Sequence, residues 1–246
     1  MSAYRQSPFA NITPVVKNLL IINVIFAIAE IVLRNHFDME GIFAIYYFNS
    51  PKFQAWQVLS YMFMHAPIDS HPEHILFNMF GLFMFGPILE FSLGSKKFLN
   101  LYLLCGIGAI FFQWLMQGIE VYQITGAITL PRPLDDQAFL QLGHGLQGGQ
   151  KLYEVFFTPV VGASGALFGI LVAFATIYPN MELFLFFIPI PIKAKYVISG
   201  YVLLEIYESV FQQAGDNVAH LAHIGGAIIG FLIVKIWGVK RMDNFY

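Results

Sequence analysis

The sequence contains few charged residues and a single cysteine. Asp, Glu, Lys and Arg make up 11% of its 246 residues, whereas a soluble domain carries about 25%. The net charge of −2 leaves no basic face for nucleic acid, which excludes that class of partner. Because Cys105 has no second cysteine to pair with, an intramolecular disulfide and a cysteine-based zinc site are both excluded.

The chain is instead rich in apolar residues, which form long runs. Hydrophobic residues make up 57% of it, and the mean hydropathy is +0.65. A helix needs about 20 apolar residues to cross a bilayer, and six blocks approach that length. They predict an all-α polytopic membrane protein that forms a single domain over residues 1–246. The six predicted spans cover residues 15–34, 72–92, 98–119, 160–179, 196–213 and 217–236.

The positive charges support this count and predict an orientation. Cytoplasmic connections are enriched in Lys and Arg. With six spans, the 13 Lys and Arg residues divide into nine on one side and four on the other. We therefore expect a multi-pass protein of the cell inner membrane with both termini in the cytoplasm. The nine are Arg5, Lys17, Lys96, Lys97, Lys193, Lys195, Lys235, Lys240 and Arg241, and the four are Arg34, Lys52, Arg132 and Lys151.

Three connections between the spans have distinct compositions. Residues 35–71 are rich in aromatic side chains, which favour the membrane interface. Residues 120–154 contain prolines, glycines and an acidic pair, which predicts an irregular external loop. Pro189 and Pro191 interrupt the apolar run after Glu182, so Leu183–Ile192 is interpreted as an inside turn that leads back to the next span.

Ser164 lies in a stretch that has no charged residue from Val155 to Met181. A hydroxyl costs free energy in hydrocarbon unless it has a partner, so its presence there needs a reason. One reason is a nucleophile that works inside the membrane, with its own amide at a helix start facing a developing negative charge. The alternative is a packing serine in a contact between small-residue helices.

His223 is the candidate base for that serine. Gly226 and Gly230 form a G-x-x-x-G pair, which lets two helix backbones approach closely. His223 lies one turn before Gly226 on nearly the same face, so close packing would press its ring against the partner helix. The alternatives are a histidine that binds a carbonyl and one that lines a proton path.

His74 and Asn78 are four residues apart and therefore share one helical face. Two neutral donors in this arrangement suit an oxyanion hole. A histidine at a helix start and an asparagine in a helix contact would be the unremarkable interpretation of the same residues.

A third catalytic group is not evident next to His223. Asp216 is seven residues earlier, or about 10 Å along a helix, which favours a Ser–His dyad over a triad. Glu205 and Glu208 interrupt the fifth block and are alternatives, although the simpler interpretation places both near an interface.

With these residues the chain resembles the rhomboid family of intramembrane serine proteases. The likeness runs from about Ala55 to the end of the sixth block, and three motifs occur in the family's order. They are H-x-x-x-N at residues 74–78, G-x-S-G at residues 162–165 and A-H-x-x-G-x-x-x-G at residues 222–230.

The resemblance implies a six-helix rhomboid-like bundle with a buried Ser-His dyad. It makes Ser164 the nucleophile and His223 the base, and it forms the oxyanion hole from His74, Asn78 and the Ser164 amide. The implied reaction is cleavage of single-span membrane proteins in or near their transmembrane segment through an acyl-enzyme. The partners are then transmembrane protein substrates and the lipid bilayer, with no metal and no cofactor.

Further positions follow from the same resemblance. Gly162 matches the residue that precedes the oxyanion hole, and Gly165 completes its motif. Phe168 occupies a position where the family commonly packs an aromatic ring on the catalytic histidine, although a plain core phenylalanine fits equally well. The chain departs from the family's common Trp-Arg pair, because Gln57 follows Trp56.

Substrate is expected to enter laterally. The fifth helix and residues 211–217 are the candidate gate, because Gly200, Gly215 and the pair Gln212-Gln213 make this the least apolar part of the core.

Other functions remain as alternatives. An intramembrane metalloprotease would use His71, His74, His220 and His223, but the chain has no H-E-x-x-H motif. The predicted spans contain no pair of Asp residues, which disfavours an aspartyl protease. The non-enzymatic alternative is an inactive rhomboid-like membrane protein that binds transmembrane clients, and it would expect an incomplete set of site residues.

Overall fold

The computed structural model describes residues 12–132, 136–185, 188–211 and 219–242. Within these ranges the chain forms ten α-helices, a short 3₁₀ turn and one pair of strands. The helices are α1 (Pro14–Leu33), α2 (Met39–Phe43), α3 (Gln57–Ser60), α4 (Pro72–Leu93), α5 (Ser95–Thr125), α6 (Asp136–Leu142), α7 (Leu146–Phe157), α8 (Ser164–Ile177), α9 (Ala194–Val210) and α10 (His220–Ile236). The 3₁₀ turn covers Tyr61–Phe63.

The predicted helical membrane protein is confirmed, and the predicted number of spans stays a prediction. Three helices, α1, α4 and α5, are long and apolar enough to cross a membrane. The helices α8 and α10 are apolar but shorter, with 14 and 17 residues. At 1.5 Å per residue, α8 is about 21 Å long against a hydrocarbon core of about 30 Å. The helix is therefore too short to cross the hydrocarbon core. If Ile177 lies at one surface, Ser164 lies inside the core, below the opposite surface.

The short helix α8 is the centre of the bundle. It packs against α4, α5, α9 and α10, and ten of its 14 residues are buried. The helix α9 lies at the edge, since only Ala194, Ile198 and Glu205 are buried among its 17 residues. Two of those three are apolar, and the third is a carboxylate.

The connection predicted as an irregular loop over residues 120–154 is largely helical, so that prediction was wrong. The helix α5 ends at Thr125. The next residue, Gly126, has a φ of +77°, and this left-handed conformation terminates the helix. The helices α6 and α7 follow. Apolar side chains give this region a small core of its own. This core stabilises helices in a segment whose prolines and glycines predicted a loop. The core consists of Tyr47, Val121, Leu130, Phe139, Leu152, Val155 and Phe156.

The predicted inside turn at Leu183–Ile192 is an antiparallel β-hairpin. Its strands are β1 (Glu182–Leu185) and β2 (Ile188–Lys193), and Glu182 pairs with Lys193. Two prolines in β2 remove two backbone donors. Proline is tolerated at the edge of a sheet, and this sheet has two strands, each of them an edge.

A buried carboxylate joins the start of α1 to the end of α4. Glu90 accepts hydrogen bonds from the backbone N–H groups of Val15 and Val16, at 3.0 and 2.9 Å. The Ser95 hydroxyl, in the first turn of α5, donates to the same carboxylate at 2.6 Å. The first N–H groups of a helix have no partner within the helix, and a negative charge there is favourable. Glu90 thus fixes three helices relative to one another.

We predict that Glu90→Ala lowers the free energy of unfolding by about 1–3 kcal/mol, because bonds to a charged acceptor are lost and two backbone donors remain buried. Reversible unfolding in mixed micelles measures this. The exposed Glu182 is the matched control, and its Ala variant should unfold like the wild type. Equal stability of the two variants would show that the Glu90 contacts contribute nothing.

Candidate active site

Ser164 and His223 lie within hydrogen-bond distance of each other. Ser164 is the first residue of α8, and its Oγ is 2.7 Å from His223 Nε2 on α10. The two residues are 59 positions apart in the chain. The histidine ring is 8% exposed, so little solvent competes for its nitrogen.

Glycines permit this contact by letting α8 and α10 meet backbone to backbone. A Cβ on Gly226 would lie 1.9 Å from the carbonyl oxygen of Gly165, and one on Gly230 would lie 2.3 Å from that of Gly169. Both distances are far below van der Waals contact, so only glycine fits at Gly226 and Gly230. The partner helix of this G-x-x-x-G pair is therefore the helix that begins with Ser164.

His74, at the start of α4, faces the same place. Its Nδ1 accepts a hydrogen bond from the Ala66 N–H at 3.1 Å. A neutral imidazole carries one proton, so this acceptor role leaves the proton on Nε2. A Cβ placed on Gly162 would lie 2.8 Å from His74 Nε2 and 3.4 Å from Ser164 Oγ, so both atoms lie close to this glycine. Gly162 has a φ of +124°, a backbone angle that residues with a side chain rarely adopt.

Asn78 is buried one turn further along α4. Its Nδ2 donates to the His74 carbonyl oxygen at 2.7 Å, and this acceptor fixes which end of the amide is nitrogen. An amide nitrogen has two protons, so a second donor remains on the same atom. Asn78 is 4% exposed.

Phe168 stacks on the His223 ring. The ring centroids are 4.5 Å apart, and the planes are inclined by 11°. Tyr201, on α9, packs against Phe168, and the centroids of these two rings are 4.9 Å apart. The stacking expected from the resemblance is thus present, and it holds the imidazole plane fixed.

A carboxylate contacts His223 at its other nitrogen, which differs from the expected dyad. Glu205 Oε2 is 2.8 Å from His223 Nδ1 and 2.7 Å from His220 Nδ1. The simpler interpretation of the sequence places Glu205 near an interface. The acid nearest to His223 in its own segment is Asp216, which lies outside the described residues. The available signal was the charge within an apolar block, which is costly in a membrane unless it has partners. Of the candidate gate, the fifth helix is described as α9, whereas residues 212–217 are likewise outside the described residues.

His220, the first residue of α10, is buried, at 5% exposure. It also approaches Glu208 Oε2, at 3.5 Å. Glu208 is on α9 one turn after Glu205, and its side chain is 40% exposed.

The histidine next to His74 is uncharged at neutral pH. His65 lies before α4, and its ring meets His74 edge to face at 5.3 Å. Burial, and then the nearby His74, lower the pKa of His65 to about 4. His65 therefore adds no positive charge beside His74 at neutral pH.

Gln57, which stands where the resemblance leads one to expect arginine, is fully buried. Its Nε2 donates to the carbonyl oxygens of Gly41 and Lys52, each at 3.2 Å. Trp56 donates its indole N–H to the Ile42 carbonyl oxygen at 2.9 Å. A neutral amide thus makes backbone hydrogen bonds in this connection without an ion pair.

One group of side chains could hold a metal by its composition. Among the described residues, Glu205, His220 and His223 bring one ligand atom each to within 4.8 Å of one another. His71 and His74 are not part of this group. His71 pairs with Glu73 at the exposed start of α4, and His74 accepts the Ala66 N–H. The four histidines of the metalloprotease alternative therefore do not meet at one point.

Comparison with known proteins agrees with the motifs. The family model of the rhomboid domain matches residues 52–239. The chain is 29% identical to the rhomboid protease AarA of Providencia stuartii, over 72% of this chain and 54% of that protein. It is 28% identical to the mitochondrial RHOMBOID-like protein 12 of Arabidopsis thaliana, over 85% and 60%. It is also 28% identical to the mitochondrial Rhomboid protein 1 of Saccharomyces cerevisiae, over 66% and 38%.

The family model covers more than half of the chain, so the chain belongs to the rhomboid family. The resemblance found in the sequence is thereby confirmed. The chain spans between 38% and 60% of the length of these three relatives.

We predict that Gly226→Ala destabilises the protein and separates Ser164 from His223, because the new methyl group would overlap the Gly165 carbonyl. Gly200→Ala on α9 is the matched control, since nothing lies within 4 Å of its Cβ position. Alanine there should stabilise the helix by up to about 1 kcal/mol. Thermal unfolding in detergent measures both effects. An unchanged melting temperature in Gly226→Ala would contradict the described helix contact.

Proposed function

We propose that this rhomboid family member is an intramembrane serine endopeptidase. It cleaves single-span membrane proteins in or near their transmembrane segment through an acyl-enzyme intermediate. The observation that carries the proposal is the 2.7 Å contact between Ser164 Oγ and His223 Nε2. A serine is a weak nucleophile until a neighbouring base takes its proton, and this contact supplies the base.

In the first step, Ser164 Oγ attacks the carbonyl carbon of the scissile peptide bond and His223 Nε2 takes the hydroxyl proton. The tetrahedral intermediate collapses when His223 returns that proton to the leaving amine. Water then attacks the acyl-enzyme with His223 as base, which releases the new carboxylate and restores the Ser164 hydroxyl. No metal or cofactor is needed for either half of this reaction.

Three donors are available for the negative charge on the intermediate. Ser164 is the first residue of α8, so its amide has no partner within the helix. His74 carries its proton on Nε2, the nitrogen that faces Gly162 and Ser164. Asn78 supplies its second Nδ2 proton. Fixed donors of this kind stabilise charge strongly in a site that excludes water.

Substrate enters from the lipid beside α9. This helix buries three of its 17 residues, and its outward face is apolar, with Leu203, Leu204 and Tyr207 exposed. Tyr201 of α9 packs against Phe168, the residue that stacks on the His223 ring. Displacement of α9 would open a lateral path to Ser164 without disturbing the contact between α8 and α10.

The proposal includes one membrane domain with six spans and both termini in the cytoplasm of a cell with an inner membrane. The nine-to-four division of Lys and Arg supports this orientation, and two contacts show helix ends that lie on the same side. The Lys97 ammonium at the start of α5 lies over the Trp237 ring just after α10, 5.9 Å from its centroid. Arg34 and Asp69 pair at the other end of α1.

We predict that Ser164→Ala abolishes cleavage of a model transmembrane substrate while the fold is retained, because a small residue suits this packing. Ser199, exposed on α9, is the matched control, and its Ala variant should cleave at the wild-type rate. Gel analysis of cleavage by purified protein in liposomes is the measurement. Turnover by the Ser164 variant would disprove the assignment, and an inert wild type would favour the client-binding alternative.

Asn78→Ala should lower kcat more than it changes KM, because an oxyanion donor acts chiefly in the transition state. Loss of one such donor costs on the order of 10²–10³ in rate in a soluble serine protease. The effect here is expected at the lower end, since two other donors remain. Steady-state kinetics with a fluorogenic transmembrane peptide separate the two constants, and an unchanged kcat would remove Asn78 from the site.

A further inference from the structure

Glu205 is a buried carboxylate on α9, a helix with few buried residues. It is 4% exposed, whereas Leu203, Leu204 and Ile206 around it are exposed. Ionised side chains are costly inside a membrane and are found there with partners. The partners of Glu205 are two imidazole nitrogens from α10, both directed at its Oε2 atom.

The distances indicate hydrogen bonds rather than a metal site. Ligand atoms around a tetrahedral zinc lie about 2.0–2.1 Å from the ion, which separates them from one another by roughly 3.3 Å. The two nitrogen–oxygen distances at Glu205 are 2.7 and 2.8 Å, which are the lengths of charge-assisted hydrogen bonds. Two N–H donors on one oxygen also offset the cost of burying the charge.

The tautomer of His223 depends on this contact. To take the Ser164 proton, Nε2 must hold a lone pair, so the ring proton must be on Nδ1. A neutral imidazole can carry its proton on either nitrogen, and the acceptor next to one nitrogen decides between them. An ionised Glu205 can only accept hydrogen bonds, and its Oε2 faces Nδ1.

We propose that Glu205 is a positioning residue, which keeps the His223 proton on Nδ1 and stabilises the imidazolium formed when Ser164 is deprotonated. This inference rests on the proposed peptidase function. Glu205 does not touch the reacting atoms and takes no proton in any step. His220 donates to the same oxygen and keeps the carboxylate directed at α10.

Within the described part of the chain, other groups around His223 do not duplicate this role. His74 of α4 faces the Ser164 side of the ring, and Phe168 of α8 covers its plane without a polar atom. Glu208 reaches His220, at 3.5 Å, and is 40% exposed. The carboxylate directed at Nδ1 is that of Glu205.

Two variants of Glu205 and one control test the inference. Glu205→Leu removes the acceptor and the charge at similar length. Glu205→Gln keeps an oxygen acceptor but removes the charge, and it serves also if the Leu variant fails to fold. Glu208→Gln removes a charge from the same helix one turn away. Steady-state kinetics on a fluorogenic transmembrane peptide give kcat and KM, and ¹⁵N NMR of histidine-labelled protein reports which His223 nitrogen carries the proton.

We expect Glu205→Leu to lower kcat by up to about 10⁴-fold, the loss seen when the orienting carboxylate of a serine protease is replaced. KM should stay within about threefold, since the residue does not contact substrate. The NMR signals should show His223 losing its single Nδ1-protonated form. Glu205→Gln should fall between Glu205→Leu and the wild type, and Glu208→Gln should match the wild type.

A kcat within about threefold of the wild type in Glu205→Leu would overturn the inference. So would a loss confined to KM, or a His223 tautomer that is the same in all three variants. Ser164→Ala keeps this result separate from the proposed function. If Ser164→Ala is inactive and Glu205→Leu is fully active, the peptidase assignment stands and the positioning role fails. If Ser164→Ala cleaves, the function itself is wrong.

Discussion

Backbone contact between α8 and α10 determines where the polar groups of this protein meet. Gly226 and Gly230 lie against the carbonyls of Gly165 and Gly169, so no side chain separates the two helices. Without a hydrophobic driving force between helices in lipid, such close packing is a main source of their association. Ser164 and His223 are each close to one of these glycines in the chain. The contact that holds the helices together therefore also sets the distance between the hydroxyl and the imidazole.

The short length of α8 and the burial around it explain how polar chemistry can exist within an apolar bundle. The chain enters α8 through residues 158–163, where Val160 pairs with Ile45 and the Gly162 N–H donates to the Tyr61 carbonyl. These bonds satisfy backbone groups that would otherwise be costly in the membrane. The His223 side chain is satisfied in the same way, because it has a partner at each nitrogen. The helix α9 carries Glu205 and lies at the edge, so the site is completed by a helix that is itself largely exposed.

Much of the site could be predicted from sequence, because its parts are local. Apolar length marks the helices, and small residues at fixed spacing mark Ser164, Gly226 and Gly230. Glu205 could not be found in this way, since its partners lie 15 and 18 residues further along the chain and a charge in an apolar block resembles a span end. The helices α6 and α7 were missed for a related reason. Their prolines and glycines indicate a loop, and the core that stabilises them includes Tyr47, about a hundred residues earlier.

Covalent labelling tests the central claim, that Ser164 is a nucleophile activated by His223, most directly. Purified protein in detergent is treated with a fluorophosphonate, which reacts with activated serines, and the modified peptide is identified by mass spectrometry. The account predicts one adduct, on Ser164, which disappears in His223→Ala and persists to a substantial degree in His220→Ala. An adduct on another serine, or labelling of Ser164 that is unaffected by loss of His223, would contradict it.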